Sequence, residues 1–217
     1  MWSIRYYLVD YSDKSFYNNR DEKQERYLFM KIVFTGAQST GKTTLVHEMQ
    51  KKPAFNNYNI CDNITRHVTA EADRLDLQGN QREIFIQNSI IDTHLFNITL
   101  DNFLADRCAI DCYVYGMYQY LQKTLDEETR LRMVETLKAC VPQYDYIFYI
   151  EPEFGVIRDG TRSDDPVFQE IVSYLFCGVI HQLKEELKLK NIFKLTGSVE
   201  ERLEQIDNII SEGEELL

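Results

Sequence analysis

The sequence predicts a three-layer α/β/α fold, in which helices cover both faces of a five-stranded, mostly parallel sheet. Two observations support this prediction. From Met30 onward, apolar strand-like runs alternate with helix-like segments, which is the pattern of βαβ units. The chain of 217 residues is also long enough to bury one sizeable core.

Five apolar runs predict the strands, at residues 31–35, 58–62, 102–106, 144–150 and 191–196. Six segments predict helices, at residues 43–51, 81–100, 110–121, 125–140, 167–189 and 199–211. The last helix has the start of a capping box, because Glu201 follows Ser198 by three residues. In such folds ligands bind beyond the carboxyl ends of the strands, so we expect the functional residues in the loops at those ends.

The first strand leads into GAQSTGKT, residues 36–43, which fits the phosphate-binding template GxxxxGK[ST] at every fixed position. A helix-like run follows, so the turn would aim backbone N–H groups and a helix N-terminus at phosphate oxygens. Lys42 is expected to reach the β- and γ-phosphates, and Thr43 to complete a Mg²⁺ shell. A chance match in an ordinary glycine turn is the alternative. The loop residues expected to bind the nucleotide are Gly36, Ser39, Thr40, Gly41, Lys42, Thr43 and Thr44.

Charged residues close the second and third predicted strands. Asp106 is expected to belong to the magnesium site or to act as a general base. Arg107 beside it could neutralise charge on a transferring phosphoryl group, whereas a solvated ion pair closing the strand is the alternative. Arg66, just past the second strand, could bind an anionic or polar acceptor, or equally lie on a helix surface.

The charged segment 151–166 separates the fourth strand from a long helix. Its two arginines, Arg158 and Arg162, are flanked by glycines, which suits a mobile lid over nucleotide phosphates. A solvated loop with local ion pairs is the alternative. Gly197, after the last strand, could border an adenine ring through backbone contacts, although a strand-to-helix turn needs small residues in any case.

The composition favours a cytoplasmic protein. The 24 basic and 35 acidic residues leave a formal net charge of −11, which disfavours nonspecific binding to DNA or to an anionic membrane. We expect no membrane span and no signal peptide. The five cysteines are odd in number and mostly in apolar context, which is typical of reduced core residues. The four scattered histidines disfavour a zinc site.

The first 29 residues differ from the rest of the chain. They are rich in tyrosine, asparagine and charged side chains and have no clean period of two or 3.6 residues. We therefore expect residues 1–29 to be an extension and residues 30–217 to be the domain. Met30 could be the working start codon, or the aromatic residues of the extension could dock on the body.

The stretches GAQSTGKTTL, ADRCAIDCYVY, YIFYIEPEFGVIRDGTRSDDPVFQ and KLTGSVEERL resemble the P-loop AAA domain of NadR-type nicotinamide riboside kinases and related viral and bacterial ATPases. The resemblance runs from about Met30 to the end of the chain. It implies a sheet of the nucleotide-kinase type, with the strand of Asp106 beside the phosphate-loop strand and a helical lid that carries the two arginines. It also draws attention to Asp111 and Tyr115, which follow the Asp–Arg pair.

Three departures from the family pattern matter. Asn63 stands where members often carry an acidic residue, and Arg158 stands where a small, apolar or acidic residue is expected. A catalytic role therefore suits Arg162 better than Arg158. The chain also lacks a hydrophobic strand ending in Asp-Glu and a sensor-type arginine pattern, which argues against a protein-remodelling AAA+ motor.

The preferred hypothesis is a kinase that uses ATP and Mg²⁺ to phosphorylate a nucleoside, a nucleotide or a similar small molecule. Its catalytic residues would be Lys42, Asp106, Arg107 and Arg162, its metal residues Thr43 and Asp106, its further nucleotide contacts Arg158 and Gly197, and its acceptor residues Arg66, Asp111 and Tyr115. A slow ATPase or GTPase that switches a protein partner is the alternative. Phosphorylation of a DNA base or DNA end is a third hypothesis, which the negative net charge disfavours, although overall composition would not reveal a narrow basic groove.

Overall fold

The computed structural model describes residues 29–152 and 165–215. Its five strands form one sheet in the order β2-β3-β1-β4-β5, and every neighbouring pair is parallel. The strands are β1 (Lys31–Thr35), β2 (Asn59–Cys61), β3 (Phe103–Ala105), β4 (Tyr146–Ile150) and β5 (Ile192–Leu195). The described helices are α1 (Lys42–Gln50), α2 (Ile64–Arg74), α3 (Gly79–Asn97), α4 (Ala109–Leu121), α5 (Glu127–Cys140), α6 (Pro166–Leu187) and α7 (Val199–Glu215).

The central strands are apolar along their length because helices bury both of their faces. Side chains alternate between the faces of a strand, so Val33 packs with α4, α5 and α6, while Ile32 and Phe34 pack with α1 and α7. The expected three-layer arrangement is therefore confirmed. None of the described helices is long and apolar enough to cross a membrane.

All five predicted strands and six predicted helices occur, with ends shifted by a few residues. The fourth strand begins at Tyr146 and not at residue 144, since Val141–Gln143 form a short 3₁₀ turn after α5. The predicted lid falls almost wholly on residues 153–164, which lie outside the described residues, as does the extension up to residue 28.

Helix α2 was missing from the prediction. Its first half is rich in β-branched residues, which lower helix propensity. Two residues, Ile64 and Ala72, are buried eight positions apart, with the partly buried Val68 midway between them. This four-residue spacing makes one apolar stripe on a helix. Helix α2 packs against α3.

Two helical glycines give a matched test of this packing. A methyl group on Gly116 of α4 would overlap Met133 Sδ and lie 2.6 Å from Gln87 Nε2, whereas one on Gly178 of α6 would meet nothing within 4 Å. We expect Gly116→Ala to lower the unfolding free energy by about 1–3 kcal/mol through overpacking. Gly178→Ala should raise it by about 0.5–1 kcal/mol through helix propensity.

Thermal and urea unfolding of both variants and of the wild type would check these values. Equal stability of the two variants would contradict the close packing of α4 on α5.

Candidate functional site

The turn between β1 and α1 requires glycine at two positions. Gly36 has a φ of +139°, and a side chain there would overlap the carbonyl oxygen of Ile150 in β4. Gly41 has a φ of +88° and is the N-cap of α1. Only glycine adopts such angles without strain, so the loop passes close to β4 and then turns directly into the helix. We call residues 36–43 the phosphate loop.

The amine of Lys42 is folded back onto the phosphate loop. Its Nζ donates to the carbonyl oxygens of Gly36 at 2.8 Å and Ala37 at 2.6 Å, and to Thr40 Oγ1 at 3.1 Å. The side chain is buried, with 6% of its surface exposed. A cation held at the centre of the loop is correctly placed to meet an anion that enters the loop.

Two distant side chains hold the outer carbonyls of the phosphate loop. Gln169 Nε2 of α6 donates to the Gln38 carbonyl at 2.9 Å, and Arg202 Nη1 of α7 donates to the Thr40 carbonyl at 2.7 Å. Both residues are buried. Neither residue was predicted, because nothing near it in the sequence marks it as a partner of the loop.

The first turn of α1 meets the end of β3 through two oxygen atoms. Thr43 Oγ1 donates to Asp106 Oδ2 at 2.7 Å. A hydroxyl and a carboxylate oxygen side by side suit Mg²⁺, which takes few protein ligands and completes its shell with water and phosphate oxygens. In the described part of the chain no cluster of three or more His, Cys, Asp or Glu could hold a metal ion by itself.

A second carboxylate, which was not predicted, lies beyond the carboxyl ends of the strands on the same side of the sheet as Asp106. Asp62 follows β2, which pairs with β3, and the Cys61 carbonyl accepts a hydrogen bond from the Asp106 N–H at 3.3 Å. Burial, Asp62 and Asp106 together raise the pKa of Cys61 to about 12. Asp62 Oδ2 also lies 3.0 Å from His47 Nε2, one turn beyond Thr43 on α1.

A cavity of about 240 Å³ opens beside the phosphate loop. Six parts of the chain contribute to its lining: the phosphate loop, α2, α3, the turn after β3, α4 and the start of α6. The lining residues are Gln38, Ile64, Thr65, Ile86, Gln87, Ile90, His94, Arg107, Asp111, Cys112, Tyr115, Gln119 and Phe168. An apolar pocket with a few convergent polar groups is the usual form of a small-molecule site.

The polar lining includes three of the predicted residues. The guanidinium carbon of Arg107 lies 5.0 Å from the centre of the Tyr115 ring, and Tyr115 OH donates to Gln38 Oε1 at 3.0 Å. Asp111 Oδ2 accepts from the backbone N–H of Cys108 at 3.0 Å. Burial raises the pKa of Asp111, and the positive charges of Lys42 and Arg107 only partly oppose this.

The remaining predicted residues are more dispersed. Arg66 is exposed on the first turn of α2 and does not line the cavity, although its neighbour Thr65 does. Thr44 is exposed on α1. Ser39 has a φ of +62° within the phosphate loop. Arg158 and Arg162 lie outside the described residues.

Gly197 has a φ of +89° and leads into α7. The predicted capping box is present, because Ser198 N–H donates to Glu201 Oε2 at 2.7 Å and Glu201 N–H donates to Ser198 Oγ at 3.2 Å. The turn therefore has a structural role in starting α7, and its predicted contact with an adenine ring stays a prediction.

Comparisons with known proteins place this site in a family. A family model described as an AAA domain matches residues 31–202. No curated protein matches the chain in sequence. The fold is similar to that of deoxyadenosine kinase from M. mycoides with bound dCTP, with 16% sequence identity, a TM-score of 0.62, and coverage of 84% of this chain and 100% of that chain.

Two further solved structures share the fold. NadR in complex with NR matches with 22% identity and a TM-score of 0.53, over 80% of this chain and 47% of that chain, so this chain spans about half of NadR. Thymidylate kinase from Candida albicans matches with 12% identity and a TM-score of 0.58, over 86% of this chain and 92% of that chain. The expected P-loop fold of the nucleotide-kinase type is therefore confirmed.

The buried His94 generates a prediction about pH. Burial, reinforced by the charge of Arg107, lowers the pKa of His94 from 6.5 to about 4. Between these values the unfolded chain binds a proton that the folded protein does not, so stability falls as pH falls. This group alone should remove up to about 3 kcal/mol of unfolding free energy by pH 4.

Urea unfolding of the wild type and of His94→Gln between pH 7 and pH 4 would measure this contribution. It is the difference between the two slopes of unfolding free energy against pH. His181→Gln, on the exposed surface of α6, is the control. Parallel curves for wild type and His94→Gln would show that His94 titrates normally in the folded protein.

Proposed function

Because the chain belongs to the AAA domain family whose model it matches over residues 31–202, we propose that it is a cytoplasmic, ATP-dependent phosphotransferase. It would transfer the γ-phosphoryl group of ATP to a nucleoside, a nucleotide or a similar small molecule. The single observation that carries this proposal is the adjacency of two sites at one edge of the sheet. Gln38 belongs to the phosphate loop by its backbone and to the neighbouring cavity by its side chain.

The phosphate loop would bind ATP. On binding, Lys42 would exchange the carbonyls of Gly36 and Ala37 for phosphate oxygens, so its charge would stay partnered throughout. The N–H groups at the start of α1 would add to this attraction. Thr43 and Asp106 would hold Mg²⁺, which supplies positive charge to the β- and γ-phosphate oxygens when bound.

The cavity would hold the acceptor. Arg107 lies in the turn after β3 and lines the cavity, where it could neutralise charge on the phosphoryl group. Asp106 or the neighbouring Asp62 could accept the proton that an attacking hydroxyl releases, since both lie at the carboxyl ends of adjacent strands. Asp111 could accept a hydrogen bond from the acceptor, and Arg162 would balance charge from the lid.

The similar solved structures support this reading. Deoxyadenosine kinase and thymidylate kinase are nucleoside and nucleotide kinases by name, and NadR was solved with AMP-PNP and NAD in a second structure. These facts describe those proteins. This chain also has a cavity beside its phosphate loop, which a nucleotide-driven switch acting on a protein partner would not need.

The test is ADP release in the presence of ATP and Mg²⁺, measured with and without pooled nucleosides and nucleotides. We expect turnover to rise severalfold or more with one pool, because a correctly held acceptor outcompetes water. Lys42→Ala should reduce this turnover by about a hundredfold or more, since it removes a positive charge from the transferring group. Lys51→Ala, an exposed lysine at the end of α1, is the matched control and should retain activity.

The outcomes separate the hypotheses. Slow turnover that no pool accelerates, combined with intact ATP binding, would overturn the kinase proposal and favour an ATPase switch. Transfer of phosphate to a DNA oligonucleotide but to no small molecule would favour the DNA-kinase alternative.

A further inference from the structure

Two polar groups that line the cavity lack hydrogen-bond partners among the described residues. Gln38 Nε2 makes no hydrogen bond, although Gln38 is more than nine-tenths buried. The imidazole of His94 is 3% exposed and likewise makes no hydrogen bond to a described residue. Buried polar groups are normally satisfied, so two of them around one cavity indicate a ligand that supplies the missing partners.

Other polar groups of the same cavity do not share this feature. Gln87 is as deeply buried as Gln38, but its Nε2 donates to the Cys112 carbonyl at 2.9 Å. Gln119 Nε2 donates to Glu83 Oε2 at 3.1 Å. These two amides have structural partners, so the unpartnered groups are a specific subset of the lining.

The charge of the lining limits the ligand further. Among the described lining residues, Arg107 carries the positive charge and Asp111 the negative charge, and each lies in the field of the other. His94 is uncharged near neutral pH because burial lowers its pKa to about 4. The charges of these two side chains cancel, and a phosphate dianion placed beside them would meet the carboxylate of Asp111.

The shape of the cavity agrees with a two-ring ligand. Ile86, Ile90 and His94 recur every four residues along α3, so the lined stripe extends roughly 12 Å. Gln38 reaches the cavity from the phosphate loop and not from α3. A ligand that fills the cavity would therefore meet both side chains at once.

We infer that Gln38 and His94 are specificity-determining residues that select an uncharged nucleoside, and not a nucleoside monophosphate, as the occupant of this cavity. The inference rests on the proposed function, whose acceptor class it narrows. Gln38 Nε2 donates to a carbonyl or ring nitrogen of the nucleoside, and the neutral imidazole of His94 makes a second hydrogen bond to it. A site built on hydrogen bonds rejects a ligand that leaves its buried groups unpaired.

The experiment measures binding and turnover separately on the full chain. The natural nucleosides and their 5′-monophosphates are each tested for a rise in the melting temperature of the protein without ATP, and for ADP release with ATP and Mg²⁺. We expect at least one nucleoside to raise the melting temperature and turnover more than its monophosphate does.

Two variants then test the residues. Gln38→Met removes the amide without placing a charge in the phosphate loop, and His94→Phe removes the imidazole nitrogens. Each should raise the KM for the nucleoside about tenfold or more, with a smaller change in kcat. His94→Phe should also leave the KM for ATP little changed, because His94 lies outside the phosphate loop. His94→Gln, which can still form a hydrogen bond, should raise the KM for the nucleoside less than His94→Phe does. His181→Phe on the exposed surface of α6 is the control and should match the wild type.

The results distinguish this inference from the proposed function. Nucleoside binding without turnover, lost in His94→Phe, would refute the kinase proposal and support the inference. Tighter binding of monophosphates than of nucleosides, no binding of any nucleoside, or unchanged KM values in both variants would overturn it.

Discussion

A loop that turns its N–H groups toward an anion turns its carbonyl oxygens away, and those oxygens need donors elsewhere. The phosphate loop meets this constraint with three side chains. Lys42 inside the loop serves two carbonyls, and Gln169 and Arg202 serve one each. The donors of α6 and α7 come from opposite faces of the sheet. Strand β1 is the central strand of the sheet, so the loop that follows it lies within reach of helices on both faces.

The difference between partners that are close in sequence and partners that are distant explains which parts of the site could be predicted from the sequence. The phosphate loop and the capping box of α7 are encoded by residues within a few positions of one another, and both were predicted. The strands and six helices follow from apolar spacing along continuous segments. Gln169 and Arg202 lie 131 and 162 positions from the carbonyls that they hold. No local pattern carries a contact of that range, so it depends on the packing of whole helices.

Helix α2 and the cavity could not be predicted for a related reason. The β-branched residues of α2 oppose a helix locally, and the burial of Ile64 and Ala72 against α3 decides in its favour. The cavity wall then combines side chains from α2, α3, α4 and α6 with the phosphate loop. Arg107 was identified by its position after one strand, and the family resemblance pointed to Asp111 and Tyr115. His94 follows no strand and belongs to the cavity only through the fold.

The two adjoining sites differ in whether their polar groups already have hydrogen-bond partners. The amine of Lys42 already has partners in the loop, so binding a phosphate there exchanges one set of hydrogen bonds for another. The unpartnered groups of the cavity would gain hydrogen bonds that the protein alone does not provide. Gln38 joins the two sites, because Gln169 holds its backbone in the loop and Tyr115 orients its side chain in the cavity. Gln38 is therefore a residue through which a shift of the phosphate loop would reach the cavity.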